Sequence, residues 1–137
     1  MKWELWNTKV KAYVIQDDGS NAMNIFSKIY VNTVHTTRLK YLLDIHLARR
    51  KAILFVGGAG TGKTSVIKQY LATSNPDKVS HRTIAFSSFT DSQSLQRNIE
   101  SMVEKKSGRT FGSATNKVLI CFLDDLNMPY VDKYYTQ

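Results

Sequence analysis

One stretch, Gly57-Gly58-Ala59-Gly60-Thr61-Gly62-Lys63-Thr64, constrains this chain more than any other. It meets every fixed position of G-x-x-x-x-G-K-[ST], the pattern of a phosphate-binding loop. Its flanks are of the right kind. Ala52-Ile53-Leu54-Phe55-Val56 is short, continuous and apolar, which predicts a strand buried on both faces. Lys63 to about Thr73 has helical periodicity, with Val66, Ile67, Tyr70 and Leu71 as the buried face. The chemistry explains the spacing. Glycines let the backbone wrap closely around phosphate oxygens with N–H groups pointing inward. The helix after the loop adds its positive end. Lys63 would reach the terminal phosphates, and the Thr64 hydroxyl would bind Mg²⁺. Ala59, Thr61 and Ser65 complete the candidate binding set with the four glycines.

A second constellation lies in Val118-Leu119-Ile120-Cys121-Phe122-Leu123-Asp124-Asp125. An apolar strand ending in an acid is the Walker B pattern. Open parallel sheets bind ligands at the C-terminal ends of their strands, where Asp124 could approach a metal held by Thr64. Asp125 stands where many hydrolytic proteins of this class carry Glu to polarise the attacking water. Aspartate is one methylene shorter and is the candidate base here. Positioned proton transfer contributes about 10²–10⁴-fold, so weak alignment would leave binding intact and hydrolysis slow. The alternative for Asp125 is a plain loop-start acid that caps the next segment.

The remaining pattern alternates strands with helices, which implies a parallel α/β sheet. Lys11 to Ile15 is a candidate strand, Asp17 to Asn21 a turn, and Phe26 to Val34 extended chain. A helix is expected from Thr36-Thr37, with Leu39, Leu42, Leu43, His46 and Leu47 as its stripe. Thr83 to Phe86 is a further strand candidate. Thr90-Asp91-Ser92-Gln93 looks like a capping box, opening a helix with Leu95, Ile99, Met102 and Val103 on one side. Lys105 to Asn116 reads as a polar loop.

Charge and composition exclude other classes. The net charge is +8, from 19 Lys+Arg against 11 Asp+Glu. The basic residues are dispersed, and the densest run is Arg49-Arg50-Lys51, so solvated faces are the preferred reading and a P-loop ATPase acting on nucleic acid is the lesser alternative. The longest apolar run, Val118 to Leu123, is far below the roughly 20 residues of a membrane-spanning helix. Met1-Lys2-Trp3-Glu4 is too polar to open a secretory signal. The single cysteine, Cys121, reads as a small buried hydrophobe and fits a reducing compartment.

The two motifs together resemble the P-loop NTPases, and the residues around them narrow the likeness. Asp124-Asp125-Leu126-Asn127-Met128-Pro129 resembles a signature of dynein heavy chains, in the third AAA+ module of the motor ring. Val131-Asp132-Lys133-Tyr134 and Glu104 to Gly112 are similar to that module too, as are Phe26 to Val31 and Thr33 to Arg38. The similarity runs from about Phe26 to Gln137, and more loosely from Trp3. Asp125 in place of Glu resembles the axonemal type. Asn32 stands where the family usually has Pro, Ser113-Ala114-Thr115 replaces a proline-rich stretch, and Tyr135 replaces a Gly.

This resemblance implies an α/β fold: an AAA+ three-layer arrangement, a parallel sheet with helices on both faces, incomplete in this chain. Residues 1–25 would be a lead-in segment and 26–137 the N-terminal part of an AAA+ large subdomain, ending before the sensor strand and lid. That sensor strand would lie between the phosphate-loop strand and the Walker B strand. The resemblance also implies ATP or ADP with Mg²⁺ as ligands, and Ile29 and Val31 as walls of the adenine pocket. Both could equally be plain core residues. The implied partners are the remaining AAA+ modules of the same heavy chain, microtubules and other dynein chains, with neither nucleic acid nor membrane. The implied location is the cytoskeleton of a cilium or flagellum. Within the family the third module binds nucleotide and is thought to gate the cycle, so a regulatory module with little hydrolysis is the alternative to an ATPase.

Overall fold

The computed structural model describes residues 3–14, 29–113 and 117–133. The chain divides into two compact units, Met1–Tyr70 and Leu71–Gln137, each taken by itself below.

The first unit opens with a 3-10 turn, Trp6–Lys9, whose indole packs edge-on against Tyr41 with ring centroids 5.3 Å apart. Residues 11–14 have no regular structure, so the expected strand is not formed there; Ile15 and the turn at 17–21 lie outside the described residues. Helix α1 is Val34–Ala48. It starts earlier than the sequence predicts, because Thr33 and Thr36 cap each other. The Thr33 hydroxyl accepts the Thr36 N–H at 3.2 Å, and the Thr36 hydroxyl accepts the Thr33 N–H at 2.8 Å. This reciprocal box satisfies two orphan donors at once, which a cap at Thr36 or Thr37 would not. Of the expected stripe, Leu43 is buried, Leu39 and Leu47 are half-buried, and Leu42 and His46 face solvent.

Helix α2 runs Lys63–Thr73. Its expected face is the observed one: Val66 and Leu71 are buried, Ile67 and Tyr70 half-buried. The Tyr70 hydroxyl donates to Asp44 Oδ1 at 2.7 Å, joining α2 to α1.

The apolar run Ala52–Val56 differs from its expectation. It has no strand ladder, and Leu54 and Val56 are 72% and 86% exposed. A strand is defined by a hydrogen-bonded neighbour, and among the described residues no segment pairs with this run.

In the second unit, β1 (Val79–Ala85) and β4 (Val118–Asp124) pair in parallel, from Val79↔Val118 to Ala85↔Asp124. The Val118 N–H reaches Lys78 O and the Phe86 N–H reaches Asp124 O, each at 3.0 Å, which carries the ladder past both ends. Burial concentrates toward the C-terminal end of the pair, at Ile84, Phe86 and Phe122. Cys121, expected inside, is exposed. Helix α3 (Ser92–Glu100) is capped by Asp91, whose carboxylate accepts the Ser94 N–H at 2.7 Å while Ser94 Oγ accepts the Asp91 N–H at 3.1 Å. The expected cap at Thr90 is one residue early, because the Thr90 hydroxyl accepts the Ser87 N–H instead. Met102 and Val103 lie beyond the helix.

The expected polar loop from Lys105 is a hairpin. Strands β2 (Val103–Ser107) and β3 (Thr110–Ser113) pair antiparallel with an irregularity between Lys105 and Ser107. Gly108, with φ +54°, makes the tight turn. The parallel pair and the helices make an α/β fold, as the motifs predict, built from a two-stranded sheet.

Candidate functional site

The phosphate loop is built within the first unit by contacts local to itself. Gly60 and Gly62 have φ of +74° and +78°, a region that L-residues enter at a cost. Between them Thr61 turns its hydroxyl back to donate to Gly58 O at 2.9 Å. The Lys63 ammonium folds across the loop and donates to Gly57 O at 2.8 Å, Gly58 O at 2.6 Å and Thr61 Oγ1 at 3.3 Å. Gly62 O accepts the Val66 N–H at 3.0 Å, so α2 starts directly from the loop. A Cβ added at Gly58, Gly60 or Gly62 would meet no heavy atom within 4 Å, which leaves that side of the loop open to a close-fitting anion. Glycine-bearing turns that run into a helix start are the physical form of an anion nest.

The other candidates of this unit are more loosely disposed. Ala59 lies in the turn of the loop, Thr64 is half-buried in the first turn of α2, and Ser65 is exposed. Ile29 is half-buried, and Val31 is 55% exposed. They flank Tyr30, whose hydroxyl oxygen is buried without a hydrogen-bond partner. Lys40 Nζ lies 5.0 Å from the Tyr30 ring centroid and donates to Asn32 Oδ1 at 3.2 Å. Partial burial pulls the Lys40 ammonium below its ordinary range, against the opposing charge of Asp44. The Asn32 side chain thus supplies the Lys40 ammonium with a hydrogen-bond acceptor.

In the second unit the Walker B residues leave β4 at its C-terminal end. Asp124 is half-buried, and its backbone closes the ladder with Phe86. Asp125 is exposed and has φ +56°, the left-handed region, and its carbonyl accepts the Met128 N–H at 2.9 Å. Beyond this tight turn, the Tyr130 N–H is tied to Ser88 O at 3.2 Å. Asp125 therefore serves the turn with its backbone and leaves its carboxylate at the surface. Among the described residues no group of three or more His, Cys, Asp or Glu could hold a metal by itself.

The structure thus brings together Gly57, Gly58, Thr61 and Lys63; Ile29 and Val31 lie in the same unit, and Asp124 and Asp125 belong to the second. The cross-loop bridge made by the Thr61 side chain is not legible in the motif, which leaves that position free. The Ser88–Tyr130 tie has no sequence signal, since it joins two backbones.

The family model described as "P-loop containing dynein motor region" matches residues 20–137. The chain belongs to that dynein motor family. It is 44% identical over 123 residues to the dynein alpha chain of the flagellar outer arm from Chlamydomonas reinhardtii, covering 89% of this chain and 3% of the relative. It is 35% identical over 135 residues to human dynein axonemal heavy chain 8, covering 98% of this chain and 3% of the relative. The inner-arm dynein-1-alpha heavy chain of Chlamydomonas reinhardtii is 40% identical over 135 residues, again covering 98% of this chain and 3% of the relative. The chain therefore spans a small part of the dynein heavy chains it matches. Its relatives are flagellar and axonemal dyneins, and the glycine loop lies inside the matched P-loop dynein motor region.

Proposed function

We propose that the chain is the Walker A to Walker B part of the third AAA+ module of an axonemal-type dynein heavy chain, with residues 1–25 as lead-in and 26–137 in the large subdomain. In this reading it binds ATP or ADP with Mg²⁺ and contributes to ATP-driven, microtubule-based movement in a cilium or flagellum. Its partners are then the other AAA+ modules of the same heavy chain, microtubules reached through the whole motor, and other dynein chains. The observation that carries the reading is the loop itself. Lys63 is drawn across two glycine carbonyls, and two glycines adopt left-handed backbone at the start of a helix.

Thr64 offers a hydroxyl and Asp124 a carboxylate, each an oxygen donor of the kind a hard cation takes. Bound Mg²⁺ would neutralise charge on the phosphates. Gly57, Gly58, Ala59, Gly60, Gly62, Lys63 and Ser65 would bind the phosphates, Thr61 would do so through its main-chain N–H, Ile29 and Val31 would flank the base, and Asp125 would orient water. Titration of the chain with a fluorescent ATP analogue tests the first step. We expect saturable binding, weakened about 100-fold or more in Lys63→Ala because charge-assisted phosphate contacts are lost. Equal binding by the two proteins would refute the assignment.

The second reading, a nucleotide-binding regulatory module with slow turnover, is favoured by Asp125, whose short side chain leaves from an exposed left-handed turn. Turnover by the complete module, compared with Asp125→Asn, separates the two. Equal rates would remove Asp125 from catalysis. Transcript sequence adjoining this segment tests the module number, and continuation into a sensor strand and a fourth module is the expected result.

A further inference from the structure

We propose that Thr61 is a positioning residue whose hydroxyl competes with a phosphate oxygen for one donor of the Lys63 ammonium. The proposal rests on the nucleotide-binding reading of the loop and assigns a role to a position the motif leaves open.

A lysine ammonium has three N–H donors. Around Lys63 Nζ there are three acceptors: Gly57 O at 2.8 Å, Gly58 O at 2.6 Å and Thr61 Oγ1 at 3.3 Å. The ammonium is thus fully satisfied from within the loop. The three bonds are not equivalent. Two go to main-chain carbonyls, which cannot leave without moving the loop. The third is the longest and goes to a side chain. Thr61 gives its own proton to Gly58 O at 2.9 Å, so its oxygen presents a lone pair to Lys63. The side chains are also packed together. A Cβ at Gly57 would sit 3.6 Å from Thr61 Oγ1 and 3.8 Å from Lys63 Cδ.

A charged phosphate oxygen is a stronger acceptor than a neutral hydroxyl. On binding it would take the Lys63 donor held by Thr61 and leave both carbonyl bonds in place. The Thr61–Gly58 bond is made before and after and cancels. The Lys63–Thr61 bond uses the donor that a phosphate oxygen would take, so the two compete and the hydroxyl opposes binding. Removing that hydroxyl should therefore tighten binding of any ligand that presents phosphate to Lys63. Valine preserves the shape of threonine and its branched, restricted side chain, and removes only the hydroxyl.

The test uses the whole chain and two probes, a fluorescent ATP analogue and inorganic tripolyphosphate. Thr61→Val should bind both about three- to fivefold more tightly than the unmodified chain, the value of one modest hydrogen bond. The gain should appear in the association rate, since the contact is broken on the way in. Thr61→Ser keeps the hydroxyl and should match the unmodified chain; if the valine variant loses its circular dichroism, Thr61→Ala takes its place. If the hydroxyl-free variant binds as well as or more weakly than the unmodified chain, while Lys63→Ala still weakens binding about 100-fold or more, the competing role of Thr61 is overturned and the nucleotide site stands. If the unmodified chain binds neither probe, the site and the role of Thr61 fall together.

Discussion

Two apolar runs in this chain have the same look, and only one is a strand. Ala52–Val56 leads into the phosphate loop; Val118–Leu123 leads into Asp124-Asp125. The second is laddered to β1 along its whole length. Among the described residues the first has no ladder partner, and its Leu54 and Val56 are exposed. The difference separates two requirements that sequence patterns merge. A β-branched, apolar run states a need for burial, whereas a strand also needs a neighbour to take its N–H and C=O groups. The functional consequences differ as well. The glycine loop keeps its shape without a ladder, because Lys63 and Thr61 close it within seven residues, from Gly57 to Lys63. The position of Asp124 depends on pairing with a segment far away in sequence.

The largest expected effect tests that contrast by truncation. Phe122 is buried on β4, and Phe122→Ala should cost about 3–5 kcal/mol, the range for truncating a core phenylalanine. Leu54→Ala, in the exposed run, should stay within about 0.5 kcal/mol. Urea midpoints read both, and equal losses would show that the two runs are packed alike. Amide hydrogen exchange offers a second reading. Residues 79–85 and 118–124 should be protected, and 52–56 should exchange as open chain.

A smaller effect compares the backbones that leave the two runs. Gly62 and Asp125 both sit in the left-handed region, at φ +78° and +56°. Gly62→Ala should cost about 1–2 kcal/mol, because Cβ crowds the carbonyl there. Asp125→Gly should do the opposite and raise stability by about 0.5 kcal/mol, relief of strain offset by greater freedom of the unfolded chain. A loss of stability in Asp125→Gly would mean that its carboxylate holds the turn together.

The parts legible in the sequence are those where one residue type has one physical use. The glycines and lysine of the loop are of this kind, and so is the Val66–Leu71 face of α2. The alternation of strand and helix predicts parallel pairing, which β1 and β4 show. Cap positions slip, since Thr33, Thr36, Thr90 and Asp91 can all cap and the choice depends on which hydroxyl finds a reciprocal partner. The hairpin escapes because Glu104-Lys105-Lys106 has no apolar alternation. Val103, Thr110 and Phe111 around a Ser107-Gly108 turn are its available signals. Family membership comes from a different kind of signal, the specific string around Asp124 to Pro129, and the matched dynein motor region includes that string.

The smallest effect concerns how the loop's helix is held in its own unit. Tyr70 of α2 donates to Asp44 of α1, and its hydroxyl is pushed up to about 12, chiefly by burial and then by the bond and charge of Asp44. Folding therefore favours the neutral phenol. Its contribution to stability is complete below the ordinary value of 10.0 and is lost as pH rises through about 12. Because the site is partly solvated, the change should be modest. Tyr70→Phe should lower Tm at pH 8, and the gap from the unmodified chain should narrow as the pH approaches 12. A gap that stays constant across that range would mean that Tyr70 supports α2 through its ring alone. The phosphate loop would then lean on packing, as β4 does through Phe122, and the two regions would differ only in their ladders.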